Sequence, residues 1–440
     1  MLNRMFQNLQ GISRQTIQKV LFTLAVLVVF RIGCRIPVPF MDATVMQSLF
    51  EEQSLFAFIN LASGGAMAQC AFFALGVSPF INASIIIQLL SVAIPTLGRM
   101  VKEDPDPQRV HAITKYVACG LSLFMATGFY ALLRNSGALA YTSGVSGILS
   151  AITIVALLMT GSMLCTWLGE QIDMFGTGNA GTGAGVSLII FVGIITRWTS
   201  IIDIWAAGII YFHQHMWFRL AVVLLLPVIM LVLVFFATRI NGAEMHVPVL
   251  YSKNARRGSS FATQSSYIPL KLVMGGVMPV IFAGTLIGLP STIAMFVSAE
   301  KHPNLYAALT FFQRNGVAYL ILYVLLILVF NYIYIAMQLD VVKMANTLRT
   351  NGGAIPGIRP GRSTEVFLMQ MAKSMAFCGA VMLAIIAAVP VLLGNIAGIP
   401  AQIGGTSLLI MVNVALEQVK AFKSMDVHRH VGFLGRKEVK

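Results

Sequence analysis

Charged residues are scarce in this sequence. Asp, Glu, Lys and Arg make up only 10% of its 440 residues, whereas 57% of the residues are hydrophobic. A soluble globular domain carries about 25% charged residues. The composition therefore excludes an ordinary soluble protein and indicates a polytopic membrane protein.

Sequence signatures of enzymes are also missing. The chain has no GxxxxGK[ST] phosphate-binding loop, no HExxH motif and no GxSxG motif, so an intramembrane enzyme is not indicated. Gly176, Gly178 and Gly181 spell GxGxxG. This stretch lies between two apolar segments rather than in the βαβ unit that a dinucleotide site requires. We interpret it as a flexible hinge and expect no catalytic residue.

The cysteines are few and are not arranged as a metal or redox site. All five lie in or beside apolar segments, far apart in sequence, and none forms a CxxC pair. They are Cys34, Cys70, Cys119, Cys165 and Cys378. Packing as small apolar side chains is their expected role. We expect neither a metal nor another cofactor.

Ten apolar windows are long enough to cross a bilayer as helices. These predicted spans are residues 18–36, 71–95, 113–134, 147–169, 185–208, 217–238, 269–296, 316–338, 368–392 and 404–422. Lys and Arg are concentrated before span one, after spans two, six and eight, and in the C-terminal tail. Because basic residues favour the cytoplasmic side, we expect both termini in the cytoplasm.

Ten spans divide into two halves of five, 1–210 and 211–440. An odd number of spans in each half gives the halves opposite orientations, an architecture that many transport proteins share. We therefore predict an all-α membrane protein with ten transmembrane helices in two inverted five-helix halves. An ion-coupled solute carrier fits the same plan. Such carriers place charges deep in their spans, whereas the central thirds of these spans are almost free of charge, which favours a pore sealed by apolar side chains.

Four segments do not fit plain lipid-facing helices. Residues 62–66 are small and too few to span a bilayer. Span two carries polar side chains along its length, so we expect part of it to face protein or a water-filled cavity. The loops 239–268 and 340–367 are long, polar and basic, and they leave the same side of the bundle. We interpret these loops as docking surfaces rather than as solvated covers.

Several stretches of the chain closely resemble the SecY family of protein-translocation channels. They are FRIGCRIPVP (30–39), SGGAM and FALGVSPFINASIIIQLL (within 63–90), WLGEQI (167–172), PGIRPG (356–361) and GGTSLLI (404–410). The resemblance runs in order from about residue 17 to 423 and covers all ten spans. It implies a passive protein-conducting channel in the cytoplasmic membrane of a bacterium. Such a channel passes unfolded secretory proteins across the membrane and releases hydrophobic segments sideways into lipid.

The resemblance also implies partners and site residues. The partners are SecE, usually SecG, the SecA ATPase, the ribosome, signal peptides, nascent chains and membrane lipid. A plug at about 55–69 contains Asn60, Ser63, Gly64, Gly65 and Ala66. The pore ring consists of Val77, Ile81, Val186, Ile190, Ile281 and Ile410. A lateral gate between spans two and seven includes Asn82, Gln88, Gly275 and Pro279. Lys253, Arg256, Arg257 and Arg359 would dock the cytoplasmic partners.

Three departures from the family pattern bear on docking. The glycine-rich segment before span five, around 176–185, is several residues longer than usual. Met245 and His246 stand where the family commonly has a basic pair, and Arg362 stands where it often has an acidic residue. These differences leave the expected fold unchanged.

Overall fold

The computed structural model describes residues 14–46, 60, 63–94, 97–98, 100, 107–141, 144–177, 184–196, 217–251, 266–273, 275–276, 278–297, 302–314, 316–397 and 409–422. We number the helices in chain order. They are α1 (Arg14–Gly33), α2 (Ser78–Ala93), α3 (Pro107–Asn135), α4 (Gly144–Phe175), α5 (Ala184–Thr196), α6 (Trp217–Gly242), α7 (Met278–Ala294), α8 (Pro303–Arg314), α9 (Gly316–Gln338), α10 (Val341–Thr350), α11 (Arg362–Ala397) and α12 (409–422). Three strands accompany them, β1 (Glu244–Tyr251), β2 (Ser266–Lys271) and β3 (Gly353–Ala354).

Every predicted span contains one of these helices, and the chain is a multi-pass membrane protein. Within the described residues, five helices are long and apolar enough to cross a membrane. They comprise Thr16–Gly33, Arg109–Asn135, Gly144–Phe175, Val317–Ile335 and Arg362–Leu392. Shorter apolar helices lie in spans two, five, six and seven. Their outward-facing Leu, Ile, Val and Phe side chains are the surface that lipid covers.

Two predicted spans begin later than expected. Span two, predicted from residue 71, becomes helical only at Ser78. Gly76 has a positive φ of 51° that a helix does not use, and Pro79 fits the first helical turn because its missing N–H has no partner there. Span seven, predicted from residue 269, begins as a helix at Met278, because 266–271 pair as a strand and Gly276 has a φ of 57°.

The loops predicted at 239–268 and 340–367 meet in a small antiparallel sheet with the strand order β2-β1-β3. In β1, Val247 and Val249 point into an apolar cluster that also contains Leu348 of α10 and Leu368 of α11, as the two-residue period of a strand requires. The described parts of the two loops therefore form one folded unit. We call the end of the bundle that carries this sheet the sheet end, and the opposite end, where α1, α3 and α7 terminate, the far end.

The main core joins both halves of the chain. It contains buried residues from α1, α2, α4 and α5 of the N-terminal half and from α6, α7, α9, α11 and α12 of the C-terminal half. A second apolar cluster lies at the far end and is formed mostly by residues that follow α1 and α3. The candidate site lies between these two clusters.

Candidate pore, plug and gate

The six residues predicted as a pore ring come together in the main core. They are Val77, Ile81, Val186, Ile190, Ile281 and Ile410, and all belong to the same apolar cluster. None is more than 9% exposed. Residues from α2, α5, α7 and α12, and the residue just before α2, thus belong to one buried apolar cluster. Aliphatic side chains at a constriction exclude water and ions because wetting them is unfavourable.

Asp173 fixes the start of α5 and so positions two of these residues. Its Oδ1 accepts a hydrogen bond of 2.8 Å from the backbone N–H of Gly185, one of the N–H groups that a helix start leaves without an intrahelical partner. The backbones of α4 and α5 lie close together here. A Cβ on Gly185 would lie 2.0 Å from the carbonyl oxygen of Gly169. Sequence reasoning missed Asp173, although an acidic residue at the end of an apolar helix was a usable signal.

Within the predicted plug, about 55–69, the structure describes Asn60 and 63–69. Asn60 organises this segment, since its backbone carbonyl accepts hydrogen bonds from Gly65 N (2.8 Å) and Ser63 Oγ (3.1 Å). Its side-chain Oδ1 accepts a third from Ala68 N (3.2 Å). Gly64 and Gly65 have positive φ angles of 67° and 84°, which glycine adopts without strain. Residues 55–59, 61 and 62 lie outside the described residues.

The plug segment rests against α1 and α5. Gly64 lies so close to Gly193 of α5 that a Cβ on Gly64 would be 2.9 Å from the Gly193 Cα. Arg31 Nη1 donates to the Gly64 carbonyl at 3.4 Å, and Cys34 Sγ donates to the Ser63 carbonyl at 3.7 Å. We call these contacts, together with Asn60 and 63–70, the plug seat.

The plug seat joins the two apolar clusters. Ala66 is buried in the same apolar cluster as the six predicted ring residues, while Met67, Ala68 and Cys70 belong to the far-end cluster. The segment therefore lies where the main core meets the far-end cluster. Burial raises the pKa of the Cys34 and Cys70 thiols to about 12, and for Cys34 the nearby Arg31 and Arg35 oppose this rise only in part.

The predicted gate helices α2 and α7 meet at a small cavity of about 20 Å³, room for about one water molecule. Its lining residues are Ser78, Ile81, Asn82, Thr285, Gly288, Leu289 and Thr292. Ser78 Oγ and Asn82 Oδ1 are buried and have no hydrogen-bond partner among the described residues. We call this contact between α2 and α7 the gate seam. The expectation that span two faces a cavity is confirmed for Ser78 and Asn82.

The other predicted gate residues lie away from the cavity. Gln88 Nε2 contacts Ser84 Oγ of its own helix at 3.4 Å. Gly275 lies just before α7, and Pro279 lies in its first turn. A Cβ on Gly275 would lie 2.8 Å from the Tyr334 ring of α9. Gly275 therefore packs against α9 instead of lining the seam. Sequence reasoning missed Thr285 and Thr292, which resemble ordinary helix-packing residues until their neighbours are known.

Arg359, the predicted docking residue in PGIRPG, is exposed at the sheet end. It lies in a turn bounded by Gly357 (φ 79°) and Gly361 (φ 112°), and its carbonyl accepts a hydrogen bond of 3.0 Å from Thr364 Oγ1. His246, one of the departures from the family pattern, stacks on the Tyr267 ring with 4.0 Å between ring centres. Lys253, Arg256 and Arg257 lie outside the described residues.

Comparisons with known proteins give one consistent result. The family model for SecY matches residues 71–419. The chain is 36% identical over 425 residues to a protein translocase subunit SecY of Bacillus subtilis, covering 94% of this chain and 96% of that one. It is 34% identical over 432 residues to the corresponding subunit of Streptomyces galbus, with coverages of 95% and 96%. A solved structure of a protein-conducting channel has a similar fold, with a TM-score of 0.64 at 16% identity, covering 94% of this chain and 93% of that chain.

Proposed function

Since the chain belongs to the SecY family, we propose that it is the central channel subunit of a Sec translocon. It passes unfolded secretory proteins across the membrane and releases apolar segments of membrane proteins sideways into lipid. The chain is a conduit rather than an enzyme. Its driving energy comes from a partner ATPase, from translation or from the membrane potential.

The observation that carries this function is the constriction and its cover. Six aliphatic side chains from both halves of the chain meet in one buried cluster, and Ala66 of the plug segment joins them. Aliphatic side chains can yield around a passing polypeptide and close again behind it. The plug segment consists of turns and is not part of a spanning helix, so it can leave and return without unfolding one.

The sheet end is the proposed cytoplasmic docking surface. It carries the exposed Arg359 on a glycine- and proline-bounded turn, a position from which a guanidinium can bind a carboxylate of SecA or a phosphate of ribosomal RNA. Lys253, Arg256 and Arg257 belong to the same docking surface in this proposal. SecE and SecG are the proposed membrane partners. With basic residues concentrated at this end, both termini face the cytoplasm of a bacterium and the channel lies in its cytoplasmic membrane.

The test substitutes three aliphatic residues of the proposed constriction and is designed to leave the fold in place. We expect the triple substitution Ile81→Ser, Ile190→Ser and Ile410→Ser to wet the constriction and raise the resting ion conductance of the purified channel in planar bilayers about tenfold or more. The matched control substitutes Ile148, Ile152 and Ile321 by Ser. These three isoleucines are more than 60% exposed on the outer surface of the bundle, so their replacement should leave the conductance unchanged.

A second measurement separates a channel from a carrier. Proteoliposomes that contain the chain with its co-purifying small subunits, together with SecA and ATP, should import an unfolded secretory precursor. An ion-coupled carrier would instead take up a small solute along an ion gradient. Unaltered conductance in the Ile→Ser triple variant, or no import by the wild-type complex, would refute the proposed function.

A further inference from the structure

We propose that Met295 and Phe296, directly after α7, form a clasp that holds the far end of the gate seam closed, with Gly128 of α3 as its socket. This inference rests on the proposed function, because it assigns to these residues control over sideways opening toward lipid. The clasp is distinct from the cavity lined by Ser78 and Asn82.

The Phe296 ring occupies the space that a side chain at position 128 would fill. A Cβ on Gly128 would lie 2.7 Å from Cε2 and 2.9 Å from Cζ of Phe296, closer than real Cβ atoms approach other atoms. The ring also packs on Phe124, four residues earlier on the same face of α3, with 4.8 Å between ring centres. Glycine at 128 therefore allows Phe296, which follows α7, to pack on α3.

Met295 also contributes to the contact between α7 and α3, on its buried side. It is 1% exposed and belongs to the far-end cluster with Met125 and Phe129 of α3. The cluster also contains Met67 of the plug segment. A side chain from the C-terminal half is thus buried among residues of the N-terminal half, and separating α7 from α3 would expose it.

The backbone after α7 holds the two side chains in position. Phe296 N donates to Ile293 O at 3.1 Å, and Val297 N donates to Ala294 O at 3.1 Å. These turns end the helix and direct Met295 inward while Phe296 lies across α3. Because α7 continues from the clasp into the gate seam, a clasp that opens frees this helix to move away from α2 and α3.

The chemistry of the clasp suits a lipid-facing gate. Phe124 and Phe296 are 46% and 38% exposed, so the edge of this contact borders the surface that lipid covers. The contact is apolar and contains no hydrogen bond between the two rings. An apolar side chain of a client segment can therefore replace Phe296 on α3, and the replacement conserves the buried apolar surface as the gate opens.

The experiment is a double-mutant cycle on Gly128 and Phe296. We expect Gly128→Ala to displace the ring and raise, about threefold to fivefold, the insertion of a marginally hydrophobic model segment into proteoliposomes by the complete complex. Phe296→Ala should raise insertion similarly. In the Phe296→Ala background, Gly128→Ala should add almost nothing, because the ring that it displaces is already absent.

Gly120→Ala is the matched control. Gly120 lies on the same helix, and a Cβ there meets nothing within 4 Å, so we expect unchanged insertion. Equal results for Gly128→Ala and Gly120→Ala would overturn the proposal. An undiminished effect of Gly128→Ala in the Phe296→Ala background would also overturn it.

A thermal-unfolding cycle on the same purified variants separates this proposal from the proposed function. If the wild-type complex inserts no segment at all, the proposed function fails. The contact itself is then judged by unfolding temperature, where the two substitutions should be non-additive. Additive shifts in unfolding temperature would refute the clasp independently of any transport measurement.

Discussion

The plug seat and the gate seam are the two closures of the proposed channel, and they differ in how many hydrogen bonds their polar groups make with the described residues. In the plug seat, Asn60 accepts three hydrogen bonds and Gly64 touches the backbone of Gly193. In the gate seam, a cavity of about 20 Å³ separates α2 from α7, and Ser78 Oγ and Asn82 Oδ1 are buried without a partner among the described residues.

This difference favours one order of opening. A typical hydrogen bond contributes about 1 kcal/mol, and a buried polar atom without a partner costs about 1–3 kcal/mol. Displacing the plug therefore breaks hydrogen bonds within the protein, whereas parting the seam breaks no hydrogen bond from Ser78 Oγ or Asn82 Oδ1 to another described residue. We expect the seam to part more readily than the plug leaves its seat.

The largest effect should come from breaking the close contact in the plug seat. Gly64→Ala places a side chain at a φ of 67°, which costs roughly 1–2 kcal/mol, and directs its Cβ against the Gly193 backbone at 2.9 Å. We expect the displaced plug to become about tenfold more populated, since 1.4 kcal/mol corresponds to a factor of ten. Resting conductance in planar bilayers should rise by the same factor.

Gly137→Ala is the control that separates backbone strain from the clash. Gly137 has nearly the same φ, 69°, but a Cβ there meets nothing within 4 Å. We expect Gly137→Ala to lower thermal stability slightly and to leave the conductance unchanged. An equal rise in conductance in both variants would show that the contact with Gly193 does not hold the plug.

The next effect should come from strengthening the gate seam. Gly288 lines the cavity, and a Cβ there meets nothing within 4 Å. Gly288→Ala should favour the helix by about 1 kcal/mol and partly fill the cavity. Because the filled seam parts less readily, we expect insertion of a marginally hydrophobic segment to fall about fivefold, with resting conductance unchanged.

Gly120→Ala again serves as the control, since it gives α3 the same gain in helix propensity far from the cavity. It should raise the unfolding temperature as Gly288→Ala does but leave insertion unaltered. If both substitutions reduce insertion alike, general helix stability governs the gate and the comparison between seat and seam fails.

The sequence was sufficient to predict the fold class and to place a helix in each span, but not to predict where two of these helices begin. Hydrophobic windows identified where helices cross, because apolar length is a property of the chain itself. The late starts of α2 and α7 depend on positive φ angles at Gly76 and Gly276 and on strand pairing by 266–271. Such features are set by tertiary contacts that hydropathy does not encode.

The missed site residues have a similar cause. Asp173, Thr285 and Thr292 resemble helix-end or helix-packing residues until another segment is placed beside them. Gly128 and Phe296 are 168 positions apart, so their contact follows from the packing of α3 against α7 and not from any local pattern. Val77, Ile81 and Ile410 of the predicted ring, in contrast, lie within segments that resemble a known family, so their prediction required no tertiary contact.

The smallest effect should come from Arg31, whose contact with the Gly64 carbonyl is long at 3.4 Å. Arg31→Gln should loosen the plug seat by a few tenths of a kcal/mol, which corresponds to about a twofold rise in opening. We would follow this rise by the alkylation rate of each cysteine, measured by mass spectrometry at pH 8. Cys70 should alkylate about twice as fast, because its thiol becomes accessible only when the segment moves.

In Arg31→Gln, the alkylation rate of Cys34 should rise less than that of Cys70. This difference tests whether the bond from Arg31 to Gly64, or the positive charge at this end of α1, retains the plug. The positive charge of Arg31 lowers the pKa of Cys34, so its removal decreases the thiolate fraction while the looser seat increases access. Arg35→Gln removes a second charge that acts on Cys34. It should therefore slow Cys34 and leave Cys70 unchanged. Faster alkylation of Cys70 in Arg35→Gln would mean that the charge at this end of α1, rather than the bond from Arg31 to Gly64, retains the plug.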